Sequence, residues 1–116
     1  MEPKQAKEVP KKWGREIWFA NNEEQNYCGK ILEINPDSQL SLHFHLLKEE
    51  HLYNMQGDCT IECLTTNADS VFFQLEEGCS FHIKPGLVHR FSTKGGCTLL
   101  EASTFHRDSD SYRVQK

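Results

Sequence analysis

Hydrophobic and polar residues alternate over short runs along most of this chain, and turn-forming residues separate the runs. Alternation with a period of two is typical of β-strands that have one buried face. No stretch shows the sustained repeat of an amphipathic helix. The turns are rich in Gly, Pro, Asn and Asp, as at Pro85-Gly86 and Gly95-Gly96. We therefore predict strands near 15–20, 27–35, 40–47, 51–56, 59–65, 70–76, 80–84, 88–93 and 97–103.

Many short strands with tight turns predict an all-β protein built as a sandwich, a jelly roll or a small barrel. The chain has 116 residues, which suits one domain with a modest core. Residues 1–12 are rich in charge, contain two prolines and lack periodicity. We therefore expect a flexible N-terminal arm over 1–12, followed by a single domain over 13–116. The polar stretch 104–116 is expected to form a strand-like extension or a lid.

Charge and composition argue against several classes of binding partner. The net charge is −4 and no basic patch stands out, which argues weakly against nucleic-acid binding. No apolar run is long enough to cross a bilayer, and the N-terminus does not look like a secretory signal. An odd number of cysteines, five, then favours reduced thiols that pack as small hydrophobic groups. We expect a cytoplasmic protein that binds neither nucleic acid nor membrane.

Two histidines one residue apart are the strongest chemical signal in the sequence. If 40–47 is a strand, His43 and His45 point to the same face. Glu50 follows them, and His89 lies on a different predicted strand. Three imidazoles and a carboxylate form a site of nitrogen and oxygen ligands, which suits Zn, Mn, Fe or Ni rather than Cu(I). We predict one divalent metal ion bound by these four residues.

The spacing of these residues resembles the two sequence motifs of the cupin superfamily. The first is His43-x-His45-x4-Glu50-x6-Gly57, and the second is Gly78-x6-Pro85-Gly86-x2-His89. The resemblance implies the cupin double-stranded β-helix, a jelly-roll barrel, with His43, His45, Glu50 and His89 as metal ligands. Asp37 stands where cupins usually begin the first motif with Gly, and Lys84 stands at the usual proline of the second. These departures affect turns and no ligand.

Three neighbouring candidates fit a metal site less well. Glu49 competes with Glu50 but breaks the six-residue spacing to Gly57. His51 is expected to point away from Glu50 in a regular strand. His82 has no partner at a ligand spacing, so it is expected to face solvent or to pack.

Further segments look like the single-domain mannose-6-phosphate-isomerase-like cupins and are similar to the cupin lyxose isomerases. They are Trp13-Gly14-Arg15-Glu16, Tyr27-Cys28-Gly29-Lys30, and 101–113, together with Lys48 between His45 and Glu50. The resemblance implies aldose–ketose isomerisation of a sugar or sugar phosphate through a metal-stabilised enediolate. It implies Lys48 and Glu101 as the catalytic acid–base pair. A homodimer is expected by analogy.

Basic residues near these segments are candidates for binding the substrate. Lys30, Arg90 and Arg113 are suited to hold a phosphate or sugar hydroxyl groups. Solvent-facing charges at Lys30 and Arg113, and a structural salt bridge at Glu101, are the alternatives for single residues. For the whole protein the alternatives are a non-catalytic metal- and sugar-binding cupin and an Fe-dependent dioxygenase.

Overall fold

The computed structural model describes residues 1–115 as two antiparallel sheets that face each other. One sheet has the strand order β1-β2-β3-β11-β6-β9, and the other has the order β12-β5-β10-β7-β8 with β4 paired to β10. The strands are β1 (Lys7–Lys11), β2 (Gly14–Asn22), β3 (Tyr27–Ile34), β4 (Ser38–Gln39), β5 (His43–Phe44), β6 (Glu50–Gly57), β7 (Thr60–Leu64), β8 (Ser70–Gln74), β9 (Ser80–Ile83), β10 (His89–Thr93), β11 (Cys97–Ser103) and β12 (Tyr112–Arg113).

The hydrophobic core lies between the two sheets, and strand alternation builds it. In β6, Leu52 is fully buried whereas its neighbours His51 and Tyr53 are exposed. In β6, β10 and β11 every second side chain is buried in this way, as the pleat of a strand with one buried face requires. The buried apolar residues of this core are Leu32, Ile34, Leu40, Leu52, Cys59, Ile61, Cys63, Leu75, Ile83, Phe91, Cys97 and Leu99.

The all-β jelly-roll prediction is confirmed, and most predicted strands agree with the structure to within two residues. The predicted strand at 40–47 is the exception, because only Ser38–Gln39 and His43–Phe44 are paired in this region. Beyond Phe44 the chain leaves the sheet and its N–H groups bond elsewhere, so Leu46 is exposed rather than on a buried face. Tertiary hydrogen bonds override the local alternation here.

Part of the segment 1–12, which was expected to be a flexible arm, forms a strand in the structure. Lys7–Lys11 forms an edge strand that pairs with β2, from Lys7 opposite Trp18 to Lys11 opposite Gly14. Edge strands are often charged and tolerate proline, here Pro10. Because most of this strand is exposed, its sequence carries no apolar alternation that would reveal it.

One short 3-10 turn, Asp108–Asp110, is the helical element of the described residues. No helix within residues 1–115 is long and apolar enough to cross a membrane.

Candidate metal centre

The three predicted histidines converge in the structure. His43 lies on β5, His45 directly follows that strand, and His89 begins β10. His43 and His89 are direct partners across the β5–β10 pair. One ring nitrogen from each of the three lies within 4.8 Å of the others. Such a group can hold a metal ion.

Backbone carbonyls hold the three imidazoles in one tautomer. The Nδ1–H of His43 donates to the Ser41 carbonyl at 2.8 Å, and that of His89 donates to the Leu87 carbonyl at 2.8 Å. His45 Nδ1 donates in the same way to the Asp110 carbonyl at 3.0 Å. Each Nε2 therefore keeps an unprotonated lone pair, as a metal ligand requires.

Two buried polar atoms beside this group have no protein partner. Within residues 1–115, Oε2 of Glu50 and Nε2 of His89 are buried and make no hydrogen bond. Glu50 Oε2 also lies 3.5 Å from Nε2 of His45. Buried polar atoms without protein partners are costly, so a carboxylate oxygen beside free imidazole nitrogens indicates a position suited to a cation. The donor set fits a divalent metal ion, and Glu50 stays the predicted fourth ligand.

The electrostatics of the group agree with this donor set. Burial lowers the pKa of His45 to about 4 and that of His89 to about 3, so both are neutral at physiological pH. Burial, together with the charge of Glu101, raises the pKa of Glu50 to about 8. Without a cation this carboxyl group holds its proton, and a bound divalent metal would displace it.

Lys48 and Glu101, the predicted acid–base pair, lie side by side. Lys48 Nζ donates to Glu101 Oε2 at 2.7 Å, and both side chains are almost fully buried. Ser103 Oγ donates to the same carboxylate oxygen at 2.9 Å. Burial alone would raise the pKa of Glu101, but the charges of Lys48 and Lys30 lower it to about 2. The pair is therefore ionised in the folded protein.

A cavity of about 370 Å³ is lined both by His43 and His45 and by this pair. Its wall combines residues from both sheets with residues from the C-terminal segment. Most of the side chains that line the cavity are charged or polar, which suits a small polar ligand. The polar lining residues include Glu16, Lys30, His43, His45, Lys48, Glu50, Glu101, His106, Asp108 and Arg113.

The three predicted substrate-binding residues have different positions. Lys30 lines the cavity, but its Nζ is held 3.3 Å from Glu16 Oε1 and 4.2 Å from the Trp18 ring centre. Arg113 lines the cavity on β12, opposite His43. The structure does not bring Arg90 to the cavity wall, because Arg90 follows His89 in a strand and so points to the other face, where its Nε donates to Glu62 at 2.7 Å.

Sequence reasoning missed two residues that complete the site. His106 Nδ1 lies 3.1 Å from Lys48 Nζ, and the carboxylate of Asp110 accepts backbone N–H bonds from residues 46–48. Their partners are 58 to 64 positions away in the sequence. No local spacing signals such contacts, although both residues belong to the polar stretch that resembles the family.

The three weaker candidates lie outside the metal group. His51 and His82 are exposed and stack with a centroid distance of 4.5 Å. His82, expected to lack a ligand partner, bonds Glu49 instead. These three residues form a surface cluster beside the paired strands β6 and β9.

Two antiparallel sheets in a jelly roll, with histidines converging between them, define this protein as a cupin. The chain belongs to the family described as mannose-6-phosphate isomerase C-terminal, whose sequence pattern matches residues 1–112. No curated protein matches the chain in sequence.

Solved structures share its fold at low sequence identity. The capsular polysaccharide assembling protein CapF from Staphylococcus aureus matches with a TM-score of 0.83 and 15% identity, over 96% of this chain and 34% of CapF. Oxalate decarboxylase from Bacillus subtilis matches with a TM-score of 0.81 and 16% identity, over 94% of this chain and 30% of that one. A formate complex of oxalate decarboxylase from Lactobacillus farciminis gives a TM-score of 0.79 and 15% identity, over 94% and 34%. This chain thus spans about a third of these proteins, and the likeness is one of fold.

Proposed function

We propose that this protein is a metal-dependent cupin that isomerises an aldose to a ketose, acting on a sugar or a sugar phosphate. The observation that carries the proposal is the buried Lys48–Glu101 pair, 2.7 Å apart, in the cavity that His43 and His45 also line. The family's description names an isomerase of a sugar phosphate, and CapF is described as assembling a polysaccharide. Both descriptions support a sugar ligand.

His43, His45, His89 and Glu50 would hold the metal ion. Three imidazoles with one carboxylate favour Zn, Mn, Fe or Ni. When bound, such an ion would supply Lewis-acid chemistry that polarises the carbonyl group of the sugar. The neutral imidazoles and the buried Glu50 carboxyl group would provide its protein ligands.

The Lys48–Glu101 pair would move the protons. Glu101 takes the proton from C2 of the aldose and returns it to C1, while Lys48 donates a proton to O1 and receives the one from O2. No proton is gained or lost in the cycle, and the product is the ketose. General acid–base catalysis of this kind contributes about 10²- to 10⁴-fold in rate. The ion pair keeps Glu101 unprotonated and Lys48 protonated at the start of the cycle.

Arg113 is the proposed anchor for a phosphate or a distal hydroxyl group, because it lines the cavity opposite His43. Lys30 already pairs with Glu16, so it shapes the wall and adds positive potential. Arg90 has no place in this proposal. The homodimer and the cytoplasmic location stay predictions.

Deuterium exchange tests the proposal even when the identity of the sugar is unknown. Metal-loaded protein is mixed with a panel of aldoses and their phosphates in D₂O, and proton NMR follows the loss of the C2 proton and the appearance of ketose. We expect exchange with at least one sugar. Lys48→Ala should keep its metal and lose about 10²-fold or more in turnover.

Lys84→Ala is the matched control, because Lys84 is an exposed lysine outside the cavity wall. It should exchange at the rate of the parent. Near-normal turnover by Lys48→Ala would contradict the role of Lys48. A metal-loaded parent that binds sugars but exchanges none would favour the non-catalytic cupin, and an iron-loaded parent that consumes oxygen would favour the dioxygenase.

A further inference from the structure

The C-terminal segment His106–Asp110 contacts both the side chain and the backbone of Lys48. At the side-chain end, Lys48 Nζ donates to Nδ1 of His106 at 3.1 Å. At the backbone end, the N–H of Lys48 donates to Oδ2 of Asp110 at 3.1 Å. Lys48 is only 3% exposed, so these contacts are made within the protein interior.

His106 is held so that it accepts a hydrogen bond from Lys48. Its Nε2–H donates to Oδ1 of Asp108 at 2.8 Å, which leaves Nδ1 unprotonated. Trp18 packs edge-on against the ring, with centroids 5.1 Å apart. Asp108 is 86% exposed in its side chain, so the bond that orients His106 is made at the cavity mouth.

Asp110 orders the backbone that carries Lys48. Its buried carboxylate accepts N–H bonds from Leu46, Leu47 and Lys48 at 2.9 to 3.2 Å. The Asp110 carbonyl also accepts the Nδ1–H of His45 at 3.0 Å. The turn between the metal-binding histidine and Lys48 is therefore fixed by one residue of the C-terminal segment.

We propose that His106 is a positioning residue that aims the Lys48 ammonium group at the ligand, with Asp108 orienting His106 and Asp110 fixing the backbone of Lys48. An ammonium group has three N–H donors in fixed tetrahedral directions. Glu101 and His106 accept two of them, so the direction of the third is set. The consequence for turnover rests on the isomerase activity proposed above.

His106→Phe removes the acceptor and keeps a ring that can pack on Trp18. We expect kcat to fall about ten-fold or more, because small errors of position are costly in proton transfer, while KM stays nearly unchanged. His106→Gln, which restores an acceptor oxygen, should recover part of the loss. In a Lys48→Ala background, His106→Phe should cause no further loss, because both changes remove one interaction.

Ser109→Ala is the control, since Ser109 is exposed in the same turn. It should behave as the parent. Circular dichroism and metal content show whether each variant is folded and loaded. An unchanged kcat in folded His106→Phe, or full additivity with Lys48→Ala, would overturn the proposal.

A readout independent of activity separates this proposal from the isomerase proposal. Nitrogen-15 NMR of the histidines should show His106 as the neutral Nε2–H form, with an Nδ1 resonance that changes in Lys48→Ala. If no sugar is exchanged but this signature is found, the isomerase proposal fails and the contact stands. A protonated Nδ1 on His106 would contradict the positioning role whatever the activity.

Discussion

At the scale of single residues, the folded environment of Glu50 strongly raises the pKa of its carboxyl group. It is 3% exposed, lies beside His45, and has an unpaired carboxylate oxygen. Burial and the charge of Glu101 raise its pKa to about 8, whereas burial keeps the histidines neutral. In the absence of a metal the folded protein therefore binds a proton at Glu50 that the unfolded chain releases at a lower pH.

This difference predicts a pH-dependent stability of the metal-free protein. A carboxyl group whose pKa is raised by folding favours the folded state while it is protonated, and this contribution is lost as the pH rises from the unfolded value through the folded value. Between about pH 5 and about pH 8, we expect the free energy of unfolding of the parent to fall relative to that of Glu50→Gln. Urea unfolding in the presence of a chelator measures both slopes.

The comparison isolates Glu50 because the two proteins share every other titrating group. The lowered pKa of Glu101, about 2, acts in the opposite direction and only below its ordinary value, outside this window. Equal slopes for the parent and Glu50→Gln would mean that Glu50 is already ionised without a metal.

At the scale of single elements, two glycines of the cupin motifs share a backbone conformation that disfavours other residues, but only one of them is crowded by neighbouring atoms. Gly57 in β6 has φ of +96°, and a Cβ there would meet the Gly96 carbonyl oxygen and lie 2.8 Å from Cα of Cys97. Gly78 has φ of +82°, and a Cβ there would meet nothing within 4 Å. Both positions disfavour other residues, but only Gly57 lies against backbone.

We therefore expect Gly57→Ala to be the more destabilising of two otherwise matched substitutions. Gly78→Ala should cost about 1 kcal/mol for its backbone conformation. Gly57→Ala should cost about 1 to 3 kcal/mol more, because β6 and β11 must move apart. Urea unfolding at one pH measures both losses, and equal losses would show that the β6–β11 contact yields without strain.

The elements also show what the sequence can and cannot reveal. Strands with one buried face, such as Glu50–Gly57 and Cys97–Ser103, alternate buried positions with less buried ones, and they are predicted to within one residue. The edge strand Lys7–Lys11 has no buried face, so nothing in its pattern marks it. The break after Phe44 depends on Asp110, which lies 64 positions beyond Leu46, and only the folded chain brings the two together.

At the scale of the whole molecule, the site forms where the two sheets and the C-terminal segment meet. Glu50 and Glu101 come from one sheet, His43 and His89 from the other, and His106 from the C-terminal segment. The convergence of His43, His45 and His89 was predictable because two sequence motifs record their positions. The wall around Lys48 was not, because it depends on contacts between distant segments.

The most direct test of the metal centre is the metal content of the protein. The protein is purified without a metal-chelating tag, and elemental analysis counts metal per chain in the parent, in His45→Ala and in His51→Ala. His51 is the control, because it is an exposed histidine on a strand next to the site. We predict close to one divalent metal ion per chain in the parent and in His51→Ala, and little in His45→Ala.

Either of two results would contradict this prediction. A parent that holds no metal, even after reconstitution with Zn, Mn, Fe or Ni, would rule out the metal centre and with it the proposed isomerase. Metal retained in full by His45→Ala would place any bound ion outside the three-histidine group.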